Sequence, residues 1–216
     1  MKERFDLLVF DWDGTLYDSV GWIVECLQYA AEDCELPVPS DYAARSVIGL
    51  SLLDAMHALY PGSTPELAHR VAHSYRRYYH TRTMSAAGFF DGVLDMLEEL
   101  RGRGYRLAVA TGKNRAGLDH MLDATGTREV FHATRAADET ASKPDPTMLF
   151  QLMEELCVGP ARTLMIGDSL HDLRMARNAG IPSVAVGCGA NALHELAELE
   201  PLVCLDATAQ VLSLFD

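Results

Sequence analysis

Leu7-Leu8-Val9-Phe10-Asp11-Trp12-Asp13-Gly14-Thr15-Leu16 begins as an unbroken apolar run and stops at two carboxylates one residue apart. A run of this kind is what a strand buried on both faces of a parallel sheet requires. Open α/β sheets bind ligands beyond the carboxyl ends of their strands, so Asp11 and Asp13 stand where chemistry is usually done. Gly14 lets the backbone turn sharply, and the Thr15 hydroxyl can tie that turn. A plain strand followed by an Asx-type turn would leave the same letters. The reading therefore depends on how the other strands end.

Downstream, Asp18 or Ser19 can cap a helix carrying Val20, Ile23, Val24 and Leu27 at helical spacing. Ser40, Ser51 and Thr64-Pro65 are further helix starts, with Pro61-Gly62 a stop between the last two. No core strand is expected from Tyr17 to Phe89, an interval far longer than the handful of residues that usually join a strand to a helix. Residues 17–84 therefore read as an inserted helical subdomain, and residues 1–16 with 85–216 as the core. Small residues at Ser85 to Gly88 suggest a hinge on which the insertion acts as a lid. From Asp91 regular alternation begins: strands are expected at 106–110, about 131–133, 163–166, 183–186 and 202–205, with helices between them. This pattern predicts an α/β fold, a doubly wound and mostly parallel sheet of Rossmann-like form.

Composition narrows the function. The chain has 216 residues, 49% hydrophobic and 23% charged, with no apolar run approaching the roughly 20 residues of a membrane span. Met1 to Asp6 lead straight to the first strand and read as carrying no signal peptide. The five cysteines are scattered without a Cys-x-x-Cys pair, which argues for a reducing cytoplasm and against a zinc site. A net charge of −13 disfavours nucleic acid and anionic membrane as partners. It also means that an anionic substrate would need a local cation.

Three strands end in polar sets: Asp11 with Asp13, Thr111 with Gly112, and Asp168-Ser169 with Asp172. Lys143 sits in the stiffened loop Ser142-Lys143-Pro144-Asp145-Pro146. Singly, Thr111 could be a helix cap, Lys143 a solvated lysine and Asp168/Asp172 a capping pair. Together, the order of acidic pair, hydroxyl, lysine and Gly-Asp-x-x-x-Asp resembles the haloacid dehalogenase superfamily over essentially the whole chain. That resemblance implies a Mg²⁺-dependent phosphatase working through an aspartyl-phosphate. It casts Asp11 as nucleophile and metal ligand, the Asp13 carbonyl and Asp168 as further ligands, and Asp172 as the group orienting water on the metal. Thr111, Gly112 and Lys143 would hold the phosphoryl oxygens, and Asp13 would act as acid and then base.

These residue types suit the chemistry. A carboxylate meeting a phosphate dianion is opposed by about 4 kcal/mol per unit pair at 4 Å in an effective dielectric near 20. A hard divalent ion and a lysine offset that. Crowding by neighbouring carboxylates is expected to raise the pKa of Asp13. The segment from Asp13 to Ser19 resembles phosphoglycolate phosphatases, implying a small phosphate ester as substrate for a monomer or homodimer, and Arg45 could meet a substrate carboxylate. A phosphomutase of the β-phosphoglucomutase type remains an alternative. So does a dinucleotide-binding protein, because Gly187-Cys188-Gly189-Ala190-Asn191-Ala192 follows a strand and Asp206 lies further on.

Overall fold

The computed structural model describes residues 4–216; Met1 to Glu3, where the leader reading begins, lie outside the described residues. Six strands form one parallel sheet: β1 (Leu7–Phe10), β2 (Arg106–Thr111), β3 (Ala133–Ala136), β4 (Thr163–Gly167), β5 (Ser183–Val186) and β6 (Val203–Leu205), in the order β3-β2-β1-β4-β5-β6. The strand order reverses direction between β1 and β4, the switch point at which doubly wound sheets open a crevice. Phe10 pairs with Val109 on one side and Ile166 on the other, so Asp11, Thr111 and Asp168 leave the sheet at one end and near one level.

Alternation along β1 builds the core. Leu8 and Phe10 join one apolar layer with Trp12, Leu97 and Leu100, while Leu7 and Val9 join the other with Met148, Leu152 and Met165. Both layers exclude water, so the strand has no polar position until its carboxyl end. The flanking helices are α5 (Val93–Gly102), α6 (Arg115–Thr125), α7 (Thr147–Glu155), α8 (Leu170–Asn178) and α9 (Leu193–Ala197).

Between β1 and β2 lie α1 (Val20–Asp33), α2 (Asp41–Ser46), α3 (Leu52–Leu59) and α4 (Pro65–Tyr79). Ser40, Ser51 and Thr64 cap α2, α3 and α4 by accepting from Ala43, Asp54 and Leu67 amides, as their positions predict. These helices have an apolar cluster of their own, centred on Leu27, Met56 and Val71. The two chain crossings into this insertion are tied together: Asp18 N donates to Gly88 O at 2.8 Å and Phe90 N to Leu16 O at 3.1 Å. A side chain at Gly88 would overlap the Tyr17 ring, so this glycine answers a close approach where the sequence suggested a free hinge.

Two expectations shift. β3 begins at Ala133, two residues past the expected Phe131, whose ring packs 6.1 Å from that of Trp12; its apolar character serves the core and not the ladder. Ser19 stands at the α1 N-cap without capping it, because its hydroxyl is spent on Asp13. Among the described residues, no helix is long and apolar enough to cross a membrane.

Candidate active site

Asp11 follows β1, Asp168 follows β4, and Asp172 sits in the first turn of α8; all are buried. One oxygen of each lies within 4.8 Å of the others. Local chemistry fixes each carboxylate. Ser169 N and Oγ donate to Asp172 Oδ2 at 3.1 and 2.6 Å in a capping box that starts α8. Asp168 accepts from Thr15 Oγ1 at 2.6 Å and from the Ala190 amide at 2.7 Å. Side chains at Gly14 or Gly189 would overlap the Asp168 carboxylate. Of the two glycines that suggest a dinucleotide fingerprint, Gly189 thus lies against an acidic side chain, and Gly187 makes room for Leu193.

Lys143 reaches into this cluster from its loop, 1% exposed, with Nζ 2.6 Å from Asp11 Oδ1 and 2.6 Å from Asp172 Oδ1. One ammonium faces three buried carboxylates. Burial raises the Asp11 carboxyl well above its usual range, Lys143 draws it down, and Asp172 and Asp168 push it further up. Burial and then the Asp172 charge raise Asp168 to about 7 against the bonds from Thr15 and Ala190. Burial would lower Lys143, but Asp11 and Asp172 outweigh it and hold the ammonium above its usual value. The set is short of positive charge and offers hard oxygen donors, so a divalent ion such as Mg²⁺ fits it.

Asp13 faces elsewhere. Its Oδ1 accepts from Ser19 Oγ at 2.6 Å, and its Oδ2 lies 2.9 Å from Lys113 Nζ. The carboxylates crowd around Asp11 instead, so the environment expected for Asp13 is corrected: its closest charged partner is a cation. Lys113 also donates to Tyr79 OH at 2.7 Å and lies 4.8 Å from that ring's centre. The sequence reading assigns no role to Lys113 or Tyr79. The lysine follows Thr111-Gly112 at a strand end, a visible signal, whereas nothing local marks Tyr79.

Thr111 is fully buried and accepts from Lys113 N at 3.2 Å. Beside it, a methyl group on Gly112 would overlap the carbonyl oxygens of Gly49 and Leu50, so the helical insertion lies directly on this loop. Further contacts seat it: Ser51 N donates to Ser142 Oγ at 2.7 Å, and His171 Nε2 lies 2.8 Å from Ser46 O. Arg45 donates to Gly189 O at 3.3 Å and does not line the cavity, contrary to its expected meeting with substrate. That cavity, about 540 Å³, lies between insertion and sheet and is lined by Asp11, Asp13, Gly112 and Lys113 on the sheet side.

A buried acid-lysine cluster at the switch point of a doubly wound sheet, open to a cavity beneath inserted helices, is the arrangement of an α/β hydrolase. The family model for haloacid dehalogenase-like hydrolases matches residues 8–186, and the chain belongs to that family. It is 35% identical to the "Probable phosphatase IndB" of Dickeya dadantii, over 95% of this chain and 91% of that one. Similarity to the "Tyrosine-protein kinase PtkA" of Mycobacterium tuberculosis is 33% identity over 87% of this chain, which spans 64% of that protein. Among solved structures, a "predicted phosphoglycolate phosphatase" from Haemophilus somnus superposes with a TM-score of 0.85 at 25% identity, covering 98% of both chains. The enzyme is accordingly a phosphoric monoester hydrolase.

Proposed function

We propose that the chain hydrolyses a small-molecule phosphate monoester through an aspartyl-phosphate on Asp11, with Mg²⁺ as cofactor, in the cytoplasm. The observation that carries this is Asp11 itself: a buried carboxylate, oriented by Lys143, that lines the same cavity as Asp13. Asp11, Asp168 and Asp172, with the Asp13 carbonyl, would hold the ion, which supplies positive charge against the phosphoryl oxygens. Lys143 adds to that charge, and Thr111 with the Gly112 amide would bind the remaining oxygens. An Asp11 oxygen attacks phosphorus, the ester P–O bond breaks, and the Asp13 carboxyl gives its proton to the departing alkoxide. The Asp13 carboxylate then takes a proton from water as that water attacks phosphorus, releasing phosphate and restoring Asp11. Lys113 and Ser19 hold Asp13 in place for both transfers.

Residues 17–84 serve as a cap over a core of residues 1–16 and 85–216 in this proposal. The apolar cluster shared by α1 to α4 and the paired crossings at Asp18–Gly88 and Leu16–Phe90 support it. Five unpaired thiols support the cytoplasmic placement. Phosphate release from p-nitrophenyl phosphate, with and without chelator, tests the proposal against Asp11→Asn. Activity that needs Mg²⁺ and vanishes in a folded Asp11→Asn protein is expected; an active variant would refute it.

A further inference from the structure

The insertion side of the cavity is aliphatic where α1 to α3 line it, and Ser51 and the α4 end with Tyr75, Arg76, Tyr79 and His80 complete it. Ile23 and Leu27 from α1, Val47 and Ile48 after α2, and Leu52 and Leu53 from α3 line it above the phosphoryl site. The basic groups in the lining are Lys113, already bound to Asp13 and Tyr79, and Arg76 and His80, which are both exposed. Arg45 is turned away onto Gly189 O. A carboxylate carried by the leaving group would therefore lie against aliphatic side chains with no buried cation free to pair with it, which is unfavourable. A volume of about 540 Å³ also falls within the roughly 300–1,000 Å³ of pockets that enclose drug-sized ligands, far more than a two-carbon acid fills.

We propose that the substrate class is a phosphate monoester of an uncharged, largely apolar alcohol, whose hydrocarbon part packs between α1 and α3 while its phosphate meets Asp11. This rests on the phosphatase reading above and narrows it. Apolar contacts made in the bound state persist in the transition state, so they raise kcat/KM.

Hydrolysis of methyl, butyl, hexyl and phenyl phosphate, with phosphoglycolate as the charged comparison, reads this out as released phosphate in Mg²⁺. Each added methylene should raise kcat/KM about fourfold until the cavity is filled. Phosphoglycolate should fall below butyl phosphate. Leu53 is only half-buried, so Leu53→Asn should fold, and it should reduce the hexyl-to-methyl ratio several-fold, chiefly through KM. A flat series, a preference for phosphoglycolate, or a ratio unmoved by Leu53→Asn would overturn the inference while leaving the phosphatase intact. No phosphate from any ester, p-nitrophenyl phosphate included, would remove both.

Discussion

Tyr79, in the last turn of α4, places its phenol oxygen 2.7 Å from Lys113 Nζ, and that ammonium lies 2.9 Å from Asp13 Oδ2. A helix of the insertion thus touches the proposed acid-base group through one intermediary. Tyr79→Phe removes a single hydrogen bond and should lower kcat/KM by no more than about tenfold. Lys113→Met should cost more, about a hundredfold in kcat, because Asp13 then loses its positioning cation. Steady-state phosphate release checks both; a Lys113→Met enzyme with unchanged kcat would break the link.

Gly112 packs under the Gly49 and Leu50 carbonyls, so Gly112→Ala should hold the insertion off the sheet. The core layers are untouched by that change. Activity should drop by at least about tenfold with melting temperature nearly constant, since a displaced insertion spoils positioning at the site before it spoils core packing. A full-activity variant would show that this contact is not needed for turnover.

Lys143→Met strands the carboxylates of Asp11 and Asp172 in the interior. Removing one partner of a buried ion pair costs about 3 kcal/mol or more, roughly 10 °C in melting temperature for a chain of this size. Mg²⁺ should recover part of the loss by restoring positive charge. Thermal melts with chelator and with Mg²⁺ measure it, and equal losses in both would argue that the cation does not sit among these acids.

The raised carboxyls set a pH dependence. Burial pushes the Asp168 carboxyl up from an ordinary 3.8 to about 7, and it raises Asp11 as well. Over that interval the folded chain keeps protons that the unfolded chain has released. Their stabilising contribution is complete below the unfolded value and is lost as pH rises through the folded one. Metal-free protein should therefore melt lower at about pH 8 than at about pH 5, and Mg²⁺, which competes with these protons, should raise the melting temperature more at the higher pH. A shift on adding Mg²⁺ that is the same at both values would contradict this.

Signals that act locally were legible in the sequence. Apolar runs gave β1, β2 and β4 because both faces of those strands are covered, and Ser40, Ser51 and Thr64 gave helix starts because a cap bonds within three residues. What depended on distant neighbours was not. Ser19 has the right type and place for a cap but is claimed by Asp13, and Gly189 looks like part of a nucleotide loop but yields room to Asp168. Arg45 and Lys113 are both cations near the site. Only folding decides that the first meets a backbone carbonyl and the second an acid.

The central claim is that phosphate passes through Asp11, and trapping the acyl phosphate tests it most directly. Asp13→Asn should still be phosphorylated by p-nitrophenyl phosphate, whose leaving group needs no proton, but should hydrolyse the intermediate slowly because the base is gone. Acid quenching, borohydride reduction and peptide mass spectrometry should then find homoserine at position 11. Homoserine at position 168 or 172, or an unmodified Asp11 while p-nitrophenol is released in a burst, would contradict the account.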